Sequence, residues 1–462
     1  MTRSTTGARR LLPVLALTML AVAPSVAHAH TSLRRSEPAR DARLTTTPTR
    51  LVLWFTAKPQ VAFSKLTLLG PSGAIPLGAI AADTGNALRA DISAPLAPGE
   101  YTVQWQTASA DGHPITGSFS FIVLGPPAGA LASPAPPAHH RMAGMTPPHT
   151  ASQTAHVGHT EYRTARWVEF VALLTVLGAL GFRHGVLPPL AARGVPTSDA
   201  GERARRFGAS MLILYAIAAL TRAYNESVAI HGSAEALDPA QVWPMLTTTV
   251  WGTGWLFGVV GAGLLALGWR LSRGSTSIGT PLALTGAVGM VLSPALSGHA
   301  AASEHFVLSV ALDVLHVVAA SLWLGGLFMV LFAGIPAMKR IENGNRDAAV
   351  SALVNSFHPL ALFCAPLVVL AGVGSAWLNL GSVTALWQTD YGMTLIRKTV
   401  VVVLVLAMGA YNSFRARRRL AEAGGARRIL VSGGMEILFA AVVLALTTVL
   451  VTQPAPAESL LR

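Results

Sequence analysis

The chain has 462 residues, of which 52% are hydrophobic and only 12% charged. A soluble protein carries about 25% charged residues, so the deficit excludes a wholly soluble chain and points to membrane helices. The net charge of +13 does not indicate nucleic acid, because the arginines stand in short clusters between apolar runs, as orientation signals do.

Residues 1–29 read as a signal peptide. Arg3, Arg9 and Arg10 form a basic start, a short apolar stretch follows, and Ala27-His28-Ala29 has the A-x-A form of a cleavage site. Cleavage after Ala29 leaves His30 first. A terminal histidine offers an α-amine and an imidazole from one residue, which suits the tetragonal N/O ligation of Cu(II). Any residue can follow a cleavage site, so this placement alone leaves ligation open.

Residues 30–124 alternate apolar and polar positions. Strands are predicted at 50–57, 65–70, 100–107 and 118–123, separated by Pro/Gly/Ser/Asp segments. That is the pattern of a small antiparallel sandwich or barrel. SADGHPITG (109–117) places Asp111 and His113 on either side of a glycine. Two such side chains on a turn can face one metal ion; an Asp-Gly turn with an exposed histidine fits the same residues.

Residues 125–163 are rich in Pro, Ala, Ser and Thr and lack an apolar period, which predicts an extended or disordered linker. It carries His139, His140, Met142, Met145, His149, His156 and His159. Imidazole and thioether together suit Cu(I) or Cu(II), so the linker is a candidate copper relay as well as a plain polar tether. The single cysteine, Cys364, lies in an apolar run and excludes a Cys-based zinc or iron–sulfur site.

Residues 164–457 hold the apolar runs. Spans of about 20 residues are predicted near 166–190, 207–223, 248–270, 279–298, 306–335, 358–380, 394–413 and 434–452. Alternate loops carry Arg193, Arg203, Arg205 and Arg206; Arg270 and Arg273; Lys339, Arg340 and Arg346; and Arg415, Arg417, Arg418, Arg419, Arg427 and Arg428. The positive-inside rule puts these loops in the cytoplasm and the N-terminal domain outside a plasma (inner) membrane.

Polar groups within spans are costly and therefore informative. His299 and His305 are expected in an outer loop, with Asp313 and His316 at i,i+3 on one helical face. A carboxylate beside an imidazole can fix its tautomer; a structural interhelical hydrogen bond by His316 fits the same residues. Glu169, Arg222, Arg397, Lys398 and Glu436 are further charges within or bordering spans, and Arg397 and Lys398 either pair with Asp313 or Glu169 or snorkel outward. Met290, Met329 and Met393 read as core fillers or thioether ligands, and His184 and His358 as residues at helix ends.

Two segments carry a family resemblance. HTSLRRSEPARDARLTTTPTRLVLWFTA and SADGHPITG resemble, in order and separation, the two signatures of the CopC copper-resistance family. The resemblance implies a Greek-key β-sandwich of cupredoxin or Ig-like type. It also implies a Cu(II) site made by His30, through amine and imidazole, with Asp111 and His113. One departure is Lys58, where the family often places an acidic residue before the proline. No separate Met-based Cu(I) site is expected in this domain.

The later half is similar to the CopD family at GHA (298–300), DVLHVVAASLWLGGL (313–327), YGMTLIRKTVVVVLVLAMGAYN (391–412) and TQPAPA (452–457). Its departures are an Asp-x-x-His spacing where Asp-x-x-x-His is usual, and Asn355 at a position where relatives often carry Arg. The whole chain resembles a CopC–CopD fusion. That implies a mixed fold, an all-β sandwich followed by an all-α polytopic bundle of about eight spans.

The implied function is capture of Cu(II) outside and import through the membrane domain, with His299, His305, Asp313 and His316 as the transmembrane path. Copper and the lipid bilayer are the implied partners, with Cu(I) a candidate in the linker or membrane domain and an outer-side copper chaperone a candidate donor. Nucleic acid and enzymatic activity are not implied. Two other readings share the sequence: a haem-binding membrane redox protein or cupric reductase, and a non-transporting copper buffer or sensor.

Overall fold

The computed structural model describes residues 32–56, 58–108, 114–124, 153–154, 159–272, 276–298, 300, 303, 305–341, 346–419, 425–453 and 455–456. The chain divides into two compact units, one containing the strands and the other the long helices.

The first unit is a two-sheet sandwich. Its strands are β1 (Leu33–Glu37), β2 (Arg43–Leu44), β3 (Arg50–Phe55), β4 (Lys65–Gly70), β5 (Gly73–Ile75), β6 (Ala81–Asp83), β7 (Ala87–Asp91), β8 (Gly99–Ala108), β9 (Pro114–Val123) and β10 (Gln153–Thr154). One sheet runs β1-β3-β7-β6; the other runs β10-β9-β8-β4-β5, with β2 parallel to β9. The chain passes repeatedly from one sheet to the other, so both layers close on one core.

Period-2 alternation selects that core. Tyr101, Val103 and Trp105 of β8 and Phe119 and Phe121 of β9 turn inward, where they join Leu51, Leu53 and Phe55 of β3 from the facing sheet. Trp105 and Phe55 meet edge to face with ring centroids 5.3 Å apart, the arrangement favoured by the ring quadrupoles. The four predicted strands are β3, β4, β8 and β9. The others are too short, or too charged, to show alternation: β1 reads LRRSE and β7 reads ALRAD.

The linker differs from expectation at its end. Gln153–Thr154 pairs antiparallel with Ile115 and Thr116 of β9. The first helix begins at His159, ahead of the boundary expected at 164. Backbone hydrogen bonding therefore claims part of a segment whose composition signals only extension.

Among the described residues, the second unit holds eight helices long and apolar enough to cross a membrane. They are α1 (Thr160–Ala191), α2 (Ser198–His231), α3 (Val250–Leu271), α4 (Ile278–Leu296), α5 (Phe306–Met338), α6 (Arg346–Leu380), α7 (Asp390–Ala416) and α8 (Gly425–Leu450). Each answers to one predicted span. Helix α2 outruns its apolar stretch because charged residues continue it: Arg203 pairs with Asp199, and Arg205 and Arg206 pair with Glu202, one turn apart.

Small residues set the closest helix contacts. A Cβ on Gly261 of α3 would stand 2.6 Å from the Gly286 carbonyl oxygen of α4, so these two backbones touch, as small-residue faces permit in membranes. Helix α1 meets α8 through Trp167, whose indole N–H donates to the Ala441 carbonyl at 3.0 Å. Arg163 adds a bond to Thr452. Helix α5 contains two wide π-helical turns, Ser321–Gly325 and Val330–Gly334. Others are Phe182–Val186 within α1 and Asn412–Ala416 at the end of α7. Such turns concentrate at functional sites.

Candidate functional site

In the sandwich, the predicted ligands His30, Asp111 and His113 lie outside the described residues, but the strands that carry them do not. Residues 109–113 connect β8 to β9, whose last pair before that connection is Ala108 with Pro114. His30 precedes Ser32, whose backbone N–H donates to the Thr56 hydroxyl at 2.9 Å. Leu33 pairs with Phe55 at the end of β3, and the start of β4 pairs with the end of β8, Lys65 opposite Gln106. The Gln60 N–H donates to the Ala108 carbonyl at 3.2 Å. The start of β1, the end of β3 and the β8–β9 stems therefore share one end of the sandwich. The linker residues His139, His140, Met142, Met145, His149 and His156 lie outside the described residues. His159 belongs to the first turn of the first helix.

In the membrane unit, His299 lies outside the described residues. His305 is exposed and immediately precedes α5. His316 follows eleven residues later in sequence, about 16 Å further along the helix at 1.5 Å per residue. These two are separate stations and do not form one coordination shell. Among the described residues no group of three or more His, Cys, Asp or Glu side chains converges on a metal position.

His316 is half-buried, and its Nδ1 lies 2.9 Å from the Val368 carbonyl oxygen of α6. A carbonyl can only accept, so the neutral ring carries its proton on Nδ1 and presents the Nε2 lone pair, the form that binds metals. The orienting role expected of Asp313 thus falls to a backbone carbonyl. Asp313 itself accepts a hydrogen bond from the Ser375 hydroxyl at 3.1 Å, also on α6. Helix α6 therefore holds both side chains of the Asp-x-x-His pair.

Glu169 has different partners from those expected. It binds Arg222 of α2 at 3.0 Å and Arg166 of its own helix at 3.4 Å, while Arg397 is exposed. Arg222 is fully buried and stacks over Trp251 at 5.2 Å. Glu226 lies one helical turn further along α2 and is also fully buried. Met290, Met329 and Cys364 are buried in the core, whereas Met393 is exposed. His184 is exposed at the end of α1.

A second polar centre lies among α5, α7 and α8. Glu436 of α8 is buried and accepts hydrogen bonds from the Trp323 indole at 3.1 Å and the Asn412 amide at 2.7 Å. The Ser432 hydroxyl donates to the other end of the same amide, which fixes its orientation. Asn355 accepts a hydrogen bond at 3.0 Å from Arg417, which directly follows α7. The departure at Asn355 therefore creates a contact with a basic residue where an arginine would repel it.

Family models match three successive parts of the chain: the CopC domain at residues 33–124, the copper resistance protein D-like N-terminal domain at 159–308, and copper resistance protein D at 351–450. Copper transport protein CutJ of Bacillus subtilis (strain 168) is 23% identical over 416 residues, covering 88% of this chain and 72% of that protein. Protein YobA of Escherichia coli (strain K12) is 36% identical over 122 residues, 25% of this chain and 96% of its own length.

The chain belongs to the CopC–CopD copper-resistance fusion family.

Among solved structures, PcoC, a methionine-rich copper resistance protein from Escherichia coli, is 29% identical with a TM-score of 0.20, covering 21% of this chain and 99% of that one. In this CopC–CopD fusion, Asp111 and His113 fall in the CopC match, and Glu169, Arg222 and His299 in the D-like N-terminal match. Glu436 and Asn412 fall in the D match. Sequence reading noted Glu436 as a charge near a span but did not connect it to Trp323 and Asn412. Their separations from the nearest basic residue differ, sixteen positions for Trp323, eight for Glu436 and three for Asn412, so no local signal joins them.

Proposed function

We propose that this protein captures Cu(II) on the outer face of the plasma membrane and passes it to its membrane domain for import. His30, through its amine and imidazole, and Asp111 and His113 are the capture ligands. Removal of the leader is what exposes the His30 amine. The observation that carries the capture step is the meeting of strand ends at one end of the sandwich, where the segments bearing all three residues attach. Two nitrogens from one residue, one further imidazole and one carboxylate make a tetragonal N/O set suited to Cu(II).

The membrane stage begins at His299 and His305 and continues to His316, whose Nε2 lone pair is available to a passing ion. Linker imidazoles and thioethers hold copper weakly near the entrance and raise its local concentration. Import draws on the inside-negative potential, about 2.3 kcal/mol per charge per 100 mV. The role is binding and transport, with no catalysis, and an outer copper chaperone is the natural donor.

The test is copper flux into proteoliposomes for wild type, His30→Ala and His316→Ala, beside Cu(II) binding by the full chain. His30→Ala is expected to lose stoichiometric Cu(II) capture. His316→Ala is expected to keep capture and lose flux. Absence of flux in every variant, wild type included, removes the import reading.

A further inference from the structure

Glu436 differs from the buried carboxylate of Glu169 in what surrounds it. It is 2% exposed. Its two oxygens accept from two neutral donors, the Trp323 indole and the Asn412 amide. Among the described residues no Lys, Arg or His forms an ion pair with it, whereas Glu169 has two arginines. A charged carboxylate in such a place is costly unless a cation joins it.

Beside it lies a cavity of about 210 Å³. Leu327, Phe357, Leu406 and other apolar side chains make most of its wall, with Glu436 at one part and His358 and Arg417 at another. Arg417 belongs to the basic cluster that ends α7, so the cavity extends from mid-helix on α8 toward the basic-loop end of the bundle. Gly409 leaves room for the carboxylate: a Cβ there would stand 3.3 Å from Glu436 Oε1 and 3.4 Å from the Trp323 ring. Both donors also come from π-helical turns, Trp323 from Ser321–Gly325 and Asn412 from Asn412–Ala416. Two of the π-helical turns therefore each carry a donor to one carboxylate.

We propose that Glu436 is a proton-exchange site of the membrane domain, loaded and unloaded through this cavity from the basic-loop side. The chemistry of the pocket selects the cation. The two groups bonded to the carboxylate, an indole N–H and an amide N–H, are donors and cannot ligate a metal ion, and His358 is the one imidazole among the lining residues. A proton needs only the carboxylate. When the proton leaves, the Trp323 and Asn412 donors hold the anion; when it returns, the site is neutral within its apolar surroundings. Besides Glu436, the charged and titratable groups facing the cavity are His358 from α6 and Arg417 just after α7. Helix α5 contributes Trp323, and α1 meets α8 through Trp167 and Arg163. As regards the import reading, on which this last point rests, such a site would let proton release balance the charge of a metal ion crossing the same bundle.

The experiment is a pH titration of the full chain in lipid nanodiscs, without copper. It follows the infrared carbonyl stretch of protonated carboxylic acid and tryptophan emission, in wild type, Glu436→Gln and Trp323→Phe. A protonated-acid band that grows as pH falls and is missing in Glu436→Gln is the expected result. An emission change with the same midpoint should be missing in both variants. Gly409→Leu, which closes the cavity beside an intact carboxylate, should slow the band's response to a pH jump by tenfold or more. Superimposable titrations of wild type and Glu436→Gln overturn the proposal, as does a Gly409→Leu response as fast as wild type. Because no copper is present, failure here is distinct from failure of copper flux in proteoliposomes.

Discussion

Two buried carboxylates in the same membrane domain meet opposite fates. Glu169 sits between Arg166 and Arg222, with Glu226 one turn beyond, so two cations and two anions share one region among α1 and α2. Glu436 sits among α5, α7 and α8 with neutral donors and a cavity at its side. In the first arrangement Glu169 meets its cations within the chain, which ties α1 to α2. The second leaves a charge for something mobile to meet. Carboxylates in a membrane are thus not one class: the neighbour within reach decides whether each is a bolt or a port.

The largest expected effect tests the bolt. Arg222→Met leaves Glu169 short of its closer partner in a buried site and should cost about 3–5 kcal/mol, the range for breaking a buried ion pair. Thermal unfolding in detergent, or the yield of folded protein, reads it. The double variant with Glu169→Gln should recover most of that loss, and failure to recover would mean that Arg222 acts through packing on Trp251.

Next comes a change without charge in the same half. Gly261→Leu forces apart the backbones of α3 and α4 and should cost about 1–3 kcal/mol by overpacking. A loss equal to that of Arg222→Met would show that packing and ion pairing weigh alike there.

Trp323→Phe removes one donor from Glu436 and should cost about 0.6–1.7 kcal/mol, the span measured for interhelical hydrogen bonds in lipid. A much larger cost would make Glu436 a bolt like Glu169 and erase the distinction. The smallest effect serves as a baseline. Arg206→Ala removes an exposed i,i+4 pair with Glu202, whose worth is about 0.3–0.5 kcal/mol before salt screening. A melting shift beyond the scatter of replicate wild-type scans would mark that loop as structural.

Legibility followed the physics of each region. The eight spans could be read because lipid demands long apolar runs, and their ends were missed where i,i+4 ion pairs carried a helix onward, as in α2. Strands β3, β4, β8 and β9 could be read from alternation; β1 and β7, short and partly charged, could not. Asp313 and His316 were found as a pair, but the hydrogen bonds that hold them come from Val368 and Ser375, distant in sequence.

By itself, then, the sequence determined the layers of this protein, a sandwich followed by a bundle, because periodicity and apolar length are local properties. It also determined which residue types are available to copper. Only the tertiary structure decided who meets whom: that Glu169 takes Arg222 and not Lys398, that a carbonyl sets the His316 tautomer, and that Trp323 and Asn412 converge on Glu436. The reason is that an interhelical contact depends on the rotation and depth of each helix, which are set by packing against its neighbours and not written in any one segment.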